Sequence, residues 1–122
     1  MKWSLILATL AILMVPAYAR VHTLDGNWPV TITNSQQFNG SHCLTIGQGA
    51  ELDNTYIGDF RVIGNNFNAF LEIDGSGQEP ATLLFIARAK NGVITKNGAF
   101  EYIQGGYLYD SGTATFGKKG DC

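Results

Sequence analysis

Apolar and polar residues alternate with a period of two along most of the chain, which is the pattern of β-strands that bury one face. The clearest examples are Trp28–Ile32 and Phe67–Ile73, where every second residue is apolar. Pairs such as Asn39-Gly40 and Gly64-Asn65 interrupt the alternation, and they favour tight turns. The pattern predicts an all-β domain of roughly seven or eight short strands, arranged as a small antiparallel β-barrel or sandwich.

The stretch Ala81–Ala89 departs from this alternation because it is apolar on both faces. As a strand, it places Leu83 and Phe85 on one face and Leu84 and Ile86 on the other. A proline before it and an Asn-Gly pair after it favour a strand over a helix. Apolar residues on both faces suit either a central strand covered on two sides or the wall of a barrel.

Three further segments leave alternatives open. The tripeptides Lys90-Asn91-Gly92 and Lys96-Asn97-Gly98 lie too close together for both to form hairpin turns, so one is expected to be a bulge or a strand end. Gly58 interrupts a strand pattern and predicts a bend there. Tyr107–Phe116 is read either as two strands or as one strand bent at Gly112.

The N-terminus has the pattern of a secretory signal peptide. Lys2 supplies a positive charge, Leu5–Val15 is almost entirely apolar, and Ala17-Tyr18-Ala19 fits the small-x-small cleavage motif. We therefore predict a signal peptide over residues 1–19 and a single all-β domain over residues 20–122. The predicted location is secreted or periplasmic. The alternative is a retained N-terminal anchor, although the apolar core is short for a membrane span.

The charge of the chain excludes some classes of partner. The formal net charge is −2, and no basic cluster is larger than Lys118-Lys119. Nucleic-acid binding requires a basic surface that neutralises phosphates, so we expect no nucleic-acid partner. We also expect no electrostatic binding to an anionic membrane once the signal peptide is removed.

The chain contains two cysteines, Cys43 and Cys122. In a small exported domain the expected state is a disulfide between them. Closing a loop of this length stabilises the fold by about 4 kcal/mol in the chain-entropy model. The alternatives are a reactive thiol and an intermolecular bridge through Cys122.

Residues that could support catalysis or bind a metal are few. His22 and His42 are the only histidines, and no Gly-x-Ser-x-Gly motif is present. Cys43 follows His42, but neighbours on a strand point to opposite faces and do not pair. Asp74–Glu79 offers oxygen ligands for calcium, although an Asp-Gly turn explains this loop more simply. We therefore predict no catalytic residues, no metal site and no cofactor.

Aromatic residues provide the strongest candidates for binding. Most are expected to fill the core, but Tyr102, Tyr107 and Tyr109 flank a Gly-Gly turn, where they could line a barrel mouth or form an exposed contact patch. Phe70 lies on the otherwise polar face of its strand. With Trp28, these residues form the candidate ligand- or partner-binding set.

Gly26-Asn27-Trp28 on the first strand resembles the Gly-x-Trp opening of the calycin superfamily, which includes lipocalins and avidins. The resemblance implies a barrel in which the Trp closes one end while ligands enter at the other. Small periplasmic metalloprotease inhibitors of this superfamily also pair such a strand with a Cys on the next strand, as Trp28 and Cys43 do here. Cys122 departs from their pattern because their second Cys lies close to the first.

The leading functional hypothesis is a secreted or periplasmic, non-catalytic protein that binds an unknown small apolar or amphipathic ligand or a protein partner. The alternatives are a barrel-type protease inhibitor acting through Arg20–Asp25 and a surface or adhesion module with an exposed aromatic patch. A carrier predicts an internal cavity, whereas an adhesion module predicts a filled core with Tyr and Phe outside.

Overall fold

A computed structural model describes residues 24–73 and 80–122 of the chain. This part of the chain is built from β-strands joined by turns and short loops. In chain order the strands are β1 (Gly26–Thr33), β2 (Gly40–Ile46), β3 (Ala50–Leu52), β4 (Tyr56–Ile63), β5 (Asn66–Ile73), β6 (Ala81–Lys90), β7 (Val93–Ile94), β8 (Asn97–Gln104) and β9 (Tyr107–Phe116).

Eight of the nine strands close into an antiparallel barrel. Strands β1 to β6 follow one another around the ring, β8 and β9 complete it, and β9 pairs with β1. The predicted all-β fold is confirmed, and its form is a barrel and not a sandwich. Within residues 24–73 and 80–122, no helix has the length and apolarity needed to cross a membrane.

The short strand β7 settles which of the two repeated tripeptides forms a turn. Asn91 and Gly92 both have positive φ angles, 54° and 76°, as a two-residue hairpin turn requires. Strand β7 then pairs with the end of β6. The second tripeptide opens β8, where a Cβ on Gly98 would lie 2.7 Å from the carbonyl oxygen of Ile86. A glycine is therefore needed where these two backbones approach closely.

Strand β4 is continuous through Gly58, where the sequence predicted a bend. A Cβ on this residue would collide with the carbonyl oxygen of Phe70 on the neighbouring strand. The glycine therefore permits close packing of two backbones without ending the strand. Strand β9 is also continuous, with a register shift at Tyr102/Ile103 on its partner β8.

Alternation sorts the strand residues into an interior set and an outer set. On β6, Leu83 and Phe85 are fully buried, whereas Leu84 on the other face is half-buried and Ile86 is 38% exposed. This apolar strand is thus the wall of a barrel. The largest fully buried side chains are Trp28, Phe67, Phe85, Phe100, Leu24, Ile32, Leu44, Leu52, Leu71, Leu83 and Val30.

The barrel has two ends, which differ in how they are closed. The Trp28 end carries the start of β1, the β4–β5 turn, the β6–β7 turn and the C-terminal tail. The Phe38 end carries the β1–β2 loop, the β3–β4 turn and the β8–β9 hairpin. These two names are used below.

The C-terminal tail is fixed against β1 at the Trp28 end. The backbone N–H groups of Gly117 and Gly120 donate to the carbonyl oxygens of Pro29 and Asn27, both at 2.8 Å. The last residue, Cys122, is disulfide-bonded to a cysteine 79 positions earlier, Cys43 on β2. The predicted disulfide is present, and it closes nearly the whole barrel.

Candidate functional site

The β1–β2 loop covers the Phe38 end of the barrel. The ring of Phe38 lies 5.3 Å from that of Phe100 and 5.4 Å from that of Tyr102, measured between ring centroids. Phe100 is fully buried and Tyr102 is half-buried. This one ring therefore covers the aromatic layer of the core at this end.

A single carboxylate holds this loop in place. The Ser35 hydroxyl donates to Asp110 Oδ2 at 2.5 Å, and the backbone N–H groups of Gln36 and Gln37 donate to the same carboxylate at 3.0 and 3.1 Å. The backbone N–H of Phe38 in turn donates to the Ser35 hydroxyl at 3.1 Å. Asp110 is only 8% exposed, so these contacts are sheltered from water.

Two opposing effects act on the pKa of Asp110. Burial raises the pKa because it disfavours the charged form. Hydrogen bonds from Ser35 and from the backbone N–H groups of Gln36, Gln37 and Ser111 lower it, and together they outweigh the burial, so the pKa lies below its ordinary value of 3.8. The carboxylate is thus ionised at neutral pH, as the hydrogen-bonded loop requires.

His42 anchors the other side of the loop. Its Nδ1 lies 2.6 Å from Asp53 Oδ2, and its Nε2 lies 2.8 Å from the carbonyl oxygen of Phe38. The backbone N–H of Cys43 donates to Asp53 Oδ1 at 2.8 Å. Both ring nitrogens therefore face acceptors within the fold, and this histidine serves to position Phe38.

The β8–β9 hairpin exposes three consecutive large side chains beside the covered mouth. Tyr107 is 73% exposed, Leu108 59% and Tyr109 58%. We call these three residues the hairpin patch. Tyr102 connects the patch to the loop, because its ring also contacts that of Tyr109, edge to face, at 6.4 Å. The register shift between β8 and β9 lies at this position.

The five predicted binding residues fall in three places. Tyr102, Tyr107 and Tyr109 come together at the Phe38 end. Trp28 is 2% exposed at the opposite end, where its Nε1–H donates to the carbonyl oxygen of Leu24 at 2.8 Å. Phe70 is half-buried on the outer surface, between β4 and β6.

Sequence reasoning missed three residues of the Phe38 end. Phe38 is the one apolar residue in the polar connection from Asn34 to Gly40, which is a signal that could have marked it. Leu108 lies between two tyrosines and extends the exposed set. Asp110 carries no local signal, because its partners in the β1–β2 loop precede it by 73 to 75 positions in the sequence.

Within residues 24–73 and 80–122, the largest side chains of the barrel interior are fully buried. Phe67, Phe85 and Phe100 each have 0% of their surface exposed, as do Leu44 and Leu83. A space large enough to hold a water molecule beside them would leave part of this surface exposed. Among these residues there is consequently no room for a ligand.

An open depression of about 270 Å³ lies on the outer surface at the β2–β3 hairpin, and Gly47, Gln48 and Gly49 form part of its lining. Its one charged lining residue is Glu51, so it offers no positive charge to a phosphate.

Within residues 24–73 and 80–122, no three metal-ligating side chains cluster together. The calcium alternative over Asp74–Glu79 lies outside the described residues.

Comparison with known proteins finds no matching family model, no matching curated protein and no matching solved structure. The fold class therefore rests on the strand pairings, which close an antiparallel barrel. Residues Gly26-Asn27-Trp28 open its first strand, and Trp28 lies at one end of it.

Proposed function

We propose that this chain is an exported, non-catalytic protein that binds a protein partner through the hairpin patch. One contrast carries the proposal: the large interior side chains of the described residues are fully buried, while Tyr107, Leu108 and Tyr109 are more than half exposed. Apolar side chains grouped on a surface mark interaction sites more often than singly scattered ones do. Tyrosine in particular combines a large contact area with a polar tip.

The geometry of the hairpin patch supports a protein partner. Tyr102 and Tyr109 contact edge to face, so the patch is backed by a ring that packs against the core. A rigid aromatic anchor loses little conformational entropy when it is buried by a partner. Such an anchor is the usual centre of a protein–protein contact.

Export is supported by two independent features of the chain. The first is the signal-peptide pattern of residues 1–19. The second is the disulfide between Cys43 and Cys122, since disulfides form and persist in oxidising compartments. The ring nitrogens of His42 face Asp53 and the carbonyl oxygen of Phe38, which supports a structural role for this histidine.

A carrier of a small apolar ligand is the second candidate. The observation that favours it is the closure of the Phe38 end, where a loop held by polar groups covers a core of aromatic rings. In the calycin-like arrangement the ligand enters at the end opposite the Trp, and this is that end. The inhibitor alternative depends on Arg20–Asp25, of which residues 20–23 lie outside the described residues.

Site-specific photo-crosslinking tests the proposed partner site. A benzophenone amino acid is placed at Tyr107 and, as the matched control, at Thr31, which is exposed on β1 away from the patch. In the native export compartment, we expect position 107 to crosslink to one defined protein and position 31 to give no such product. Equal crosslinking from the two positions would contradict the proposal.

Native mass spectrometry separates the partner hypothesis from the carrier hypothesis. The protein is purified from its export compartment and measured under native and then denaturing conditions. We expect the denatured mass to be that of a chain that begins at residue 20 and has lost two hydrogens to the disulfide, and the native mass of the protein alone to be a whole multiple of it. Additional mass of small-molecule size seen only in the native spectrum would favour the carrier.

A further inference from the structure

The outer face of β4 carries an arrangement that is complementary to itself. Its four outward residues are, in order, Ile57, Asp59, Arg61 and Ile63, and all four are exposed. The two isoleucines are 65% and 62% exposed. Reversing the order of this set exchanges the isoleucines with each other and the aspartate with the arginine.

The neighbouring strands extend this face. Phe70 on β5 lies opposite Asp59 on one side and Leu84 on the other, and Asn68 lies opposite Ile86. We call the outward residues of β4, β5 and β6 the outer wall. Phe70, Leu84 and Ile86 therefore form an apolar area beside Asp59 and Arg61, and Glu72 and Arg88 lie in the rows on either side of it.

The charges of the outer wall are segregated along the strands. Asp59 and Glu72 lie towards the Phe38 end, whereas Arg61 and Arg88 lie towards the Trp28 end. All four side chains are exposed. The wall is thus acidic in one half and basic in the other, with Leu84 and Ile86 between the halves.

We infer that the outer wall binds a second copy of this chain, related by a two-fold axis that runs across the strands. This operation places Asp59 opposite Arg61 of the second copy and Ile57 opposite Ile63 of the second copy. It also places Leu84 opposite Ile86 of the second copy. Each contact occurs twice, as an isologous interface requires.

Two walls can also pack face to face about a two-fold axis that runs parallel to the strands. The charge pattern favours the axis that runs across the strands. An axis parallel to the strands would keep the acidic half of one wall against the acidic half of the other, with Glu72 opposite Glu72 for an axis over β5 and Asp59 opposite Asp59 for an axis over β4. Like charges placed opposite each other are strongly unfavourable at an interface. The selected axis aligns the strands of the two walls, which is a normal packing for two sheets.

The same charges argue against a lipid surface as the occupant. Anionic lipids attract basic surfaces, but Asp59 and Glu72 occupy half of this wall. An unrelated protein would have to match an acidic half, an apolar centre and a basic half in the right order. A second copy supplies that match by symmetry alone.

The dimer would extend the proposed function, although it does not depend on it. The two-fold axis places the Phe38 end of one copy beside the Trp28 end of the other. The two hairpin patches would then lie at opposite ends of the dimer. A partner carrying two binding sites, or two separate partners, could be bridged in this way.

Sedimentation velocity of the mature chain over a range of concentrations tests the dimer, together with complementary charge variants. Arg61→Glu places like acidic charges opposite each other, and Asp59→Arg places like basic charges opposite each other. We expect each variant alone to dimerise at least about tenfold more weakly than the unaltered chain. Thr31→Lys, on the far side of the barrel, is the control and should leave the dimer unchanged.

Mixing the two variants provides the decisive result. An Arg61→Glu copy and an Asp59→Arg copy restore opposite charges at both contacts, so the mixture should form a heterodimer although neither variant dimerises well alone. This outcome also shows that both variants fold, which matters because Asp59 accepts a hydrogen bond from the backbone N–H of Phe60. A monomeric unaltered chain, an Arg61→Glu variant that stays dimeric, or a mixture that stays monomeric would overturn the inference.

Discussion

The two ends of this barrel are closed by different kinds of interaction. At the Trp28 end, a fully buried indole donates to the carbonyl oxygen of Leu24, and Lys119 Nζ lies 5.9 Å from the centre of its ring. A disulfide then fixes the chain terminus that runs past this end. Closure here depends on apolar burial and a covalent bond.

At the Phe38 end, one half-buried ring covers the core, and it is held through hydrogen bonds. Asp110 accepts from Ser35 and from two backbone N–H groups of the same loop. These hydrogen bonds depend on the charge of the Asp110 carboxylate. The indole contacts and the disulfide at the Trp28 end do not depend on the charge of a carboxylate. This barrel therefore has one end that can respond to acid, and the exposed hairpin patch lies at that end.

Replacing both cysteines by serine is expected to have the largest effect and to act on the Trp28 end. The double variant Cys43→Ser/Cys122→Ser should lose about 4 kcal/mol of free energy of unfolding, because the unfolded chain regains the entropy that the crosslink removes. Urea unfolding measures this loss. The reduced unaltered protein is the control and should lose the same amount; a loss below about 1 kcal/mol would show that the tail contributes little.

Removing the ring of Phe38 should have the next largest effect. Phe38→Ala is expected to cost about 2 kcal/mol, less than a fully buried Phe, and to expose Phe100 and Tyr102. The variant should then bind an apolar dye that the unaltered protein does not bind. Phe70→Ala removes a half-buried ring from the outer wall and is the matched control; dye binding by both variants alike would contradict a covering role for Phe38.

Replacing Asp110 by asparagine tests whether the stabilisation at the Phe38 end depends on pH, unlike that at the Trp28 end. At neutral pH we expect a loss of about 1.5 kcal/mol, because hydrogen bonds to a charged acceptor are weakened. The pKa of Asp110 is lowered in the folded state, so the carboxylate stabilises the fold above the ordinary pKa of 3.8. That stabilisation is lost as the pH falls through the lower, folded-state pKa.

The difference in stability between the unaltered protein and Asp110→Asn should therefore shrink below about pH 4. Thermal unfolding across a pH series measures it. Asp121→Asn, at an exposed carboxyl in the tail, is the control and should follow the unaltered protein at every pH. A difference that stays constant down to pH 2 would refute the idea that the charge of Asp110 holds the β1–β2 loop.

Removing the outermost tyrosine should have the smallest effect on stability. Tyr107→Ser is expected to change the free energy of unfolding by less than about 0.5 kcal/mol, because the side chain is 73% exposed. Its binding to the protein that position 107 crosslinks should nevertheless be weakened, as co-purification of that protein with the variant measures. A stability loss comparable to that of Phe38→Ala would make Tyr107 part of the closure and not part of a surface.

Several features of this protein could be predicted from local patterns. Alternation at Trp28–Ile32 and Phe67–Ile73 predicted strands because one face of each must be buried. The two cysteines predicted their own bond because no other partner exists within the chain. The tyrosines beside Gly105 and Gly106 were predicted to gather at a turn, and they do.

Other features could not be predicted because they depend on closure of the barrel. Asp110 and Ser35 are 75 positions apart, and only the pairing of β9 with β1 brings them together. The outer wall likewise exists only because β4, β5 and β6 align Asp59, Phe70 and Leu84 in one row. The local sequence around each of these residues does not specify which distant residues it meets.

The sequence alone determined the strand class, the disulfide and the apolar face of each strand, because these follow from the order of side chains along a period-two backbone. Tertiary structure decided that the sheet closes and that Phe38 covers one end. It also decided that the tyrosines of the hairpin remain outside. The physical reason is register: strand pairing between distant segments sets which side chains share a layer, and no local pattern in the chain specifies that pairing.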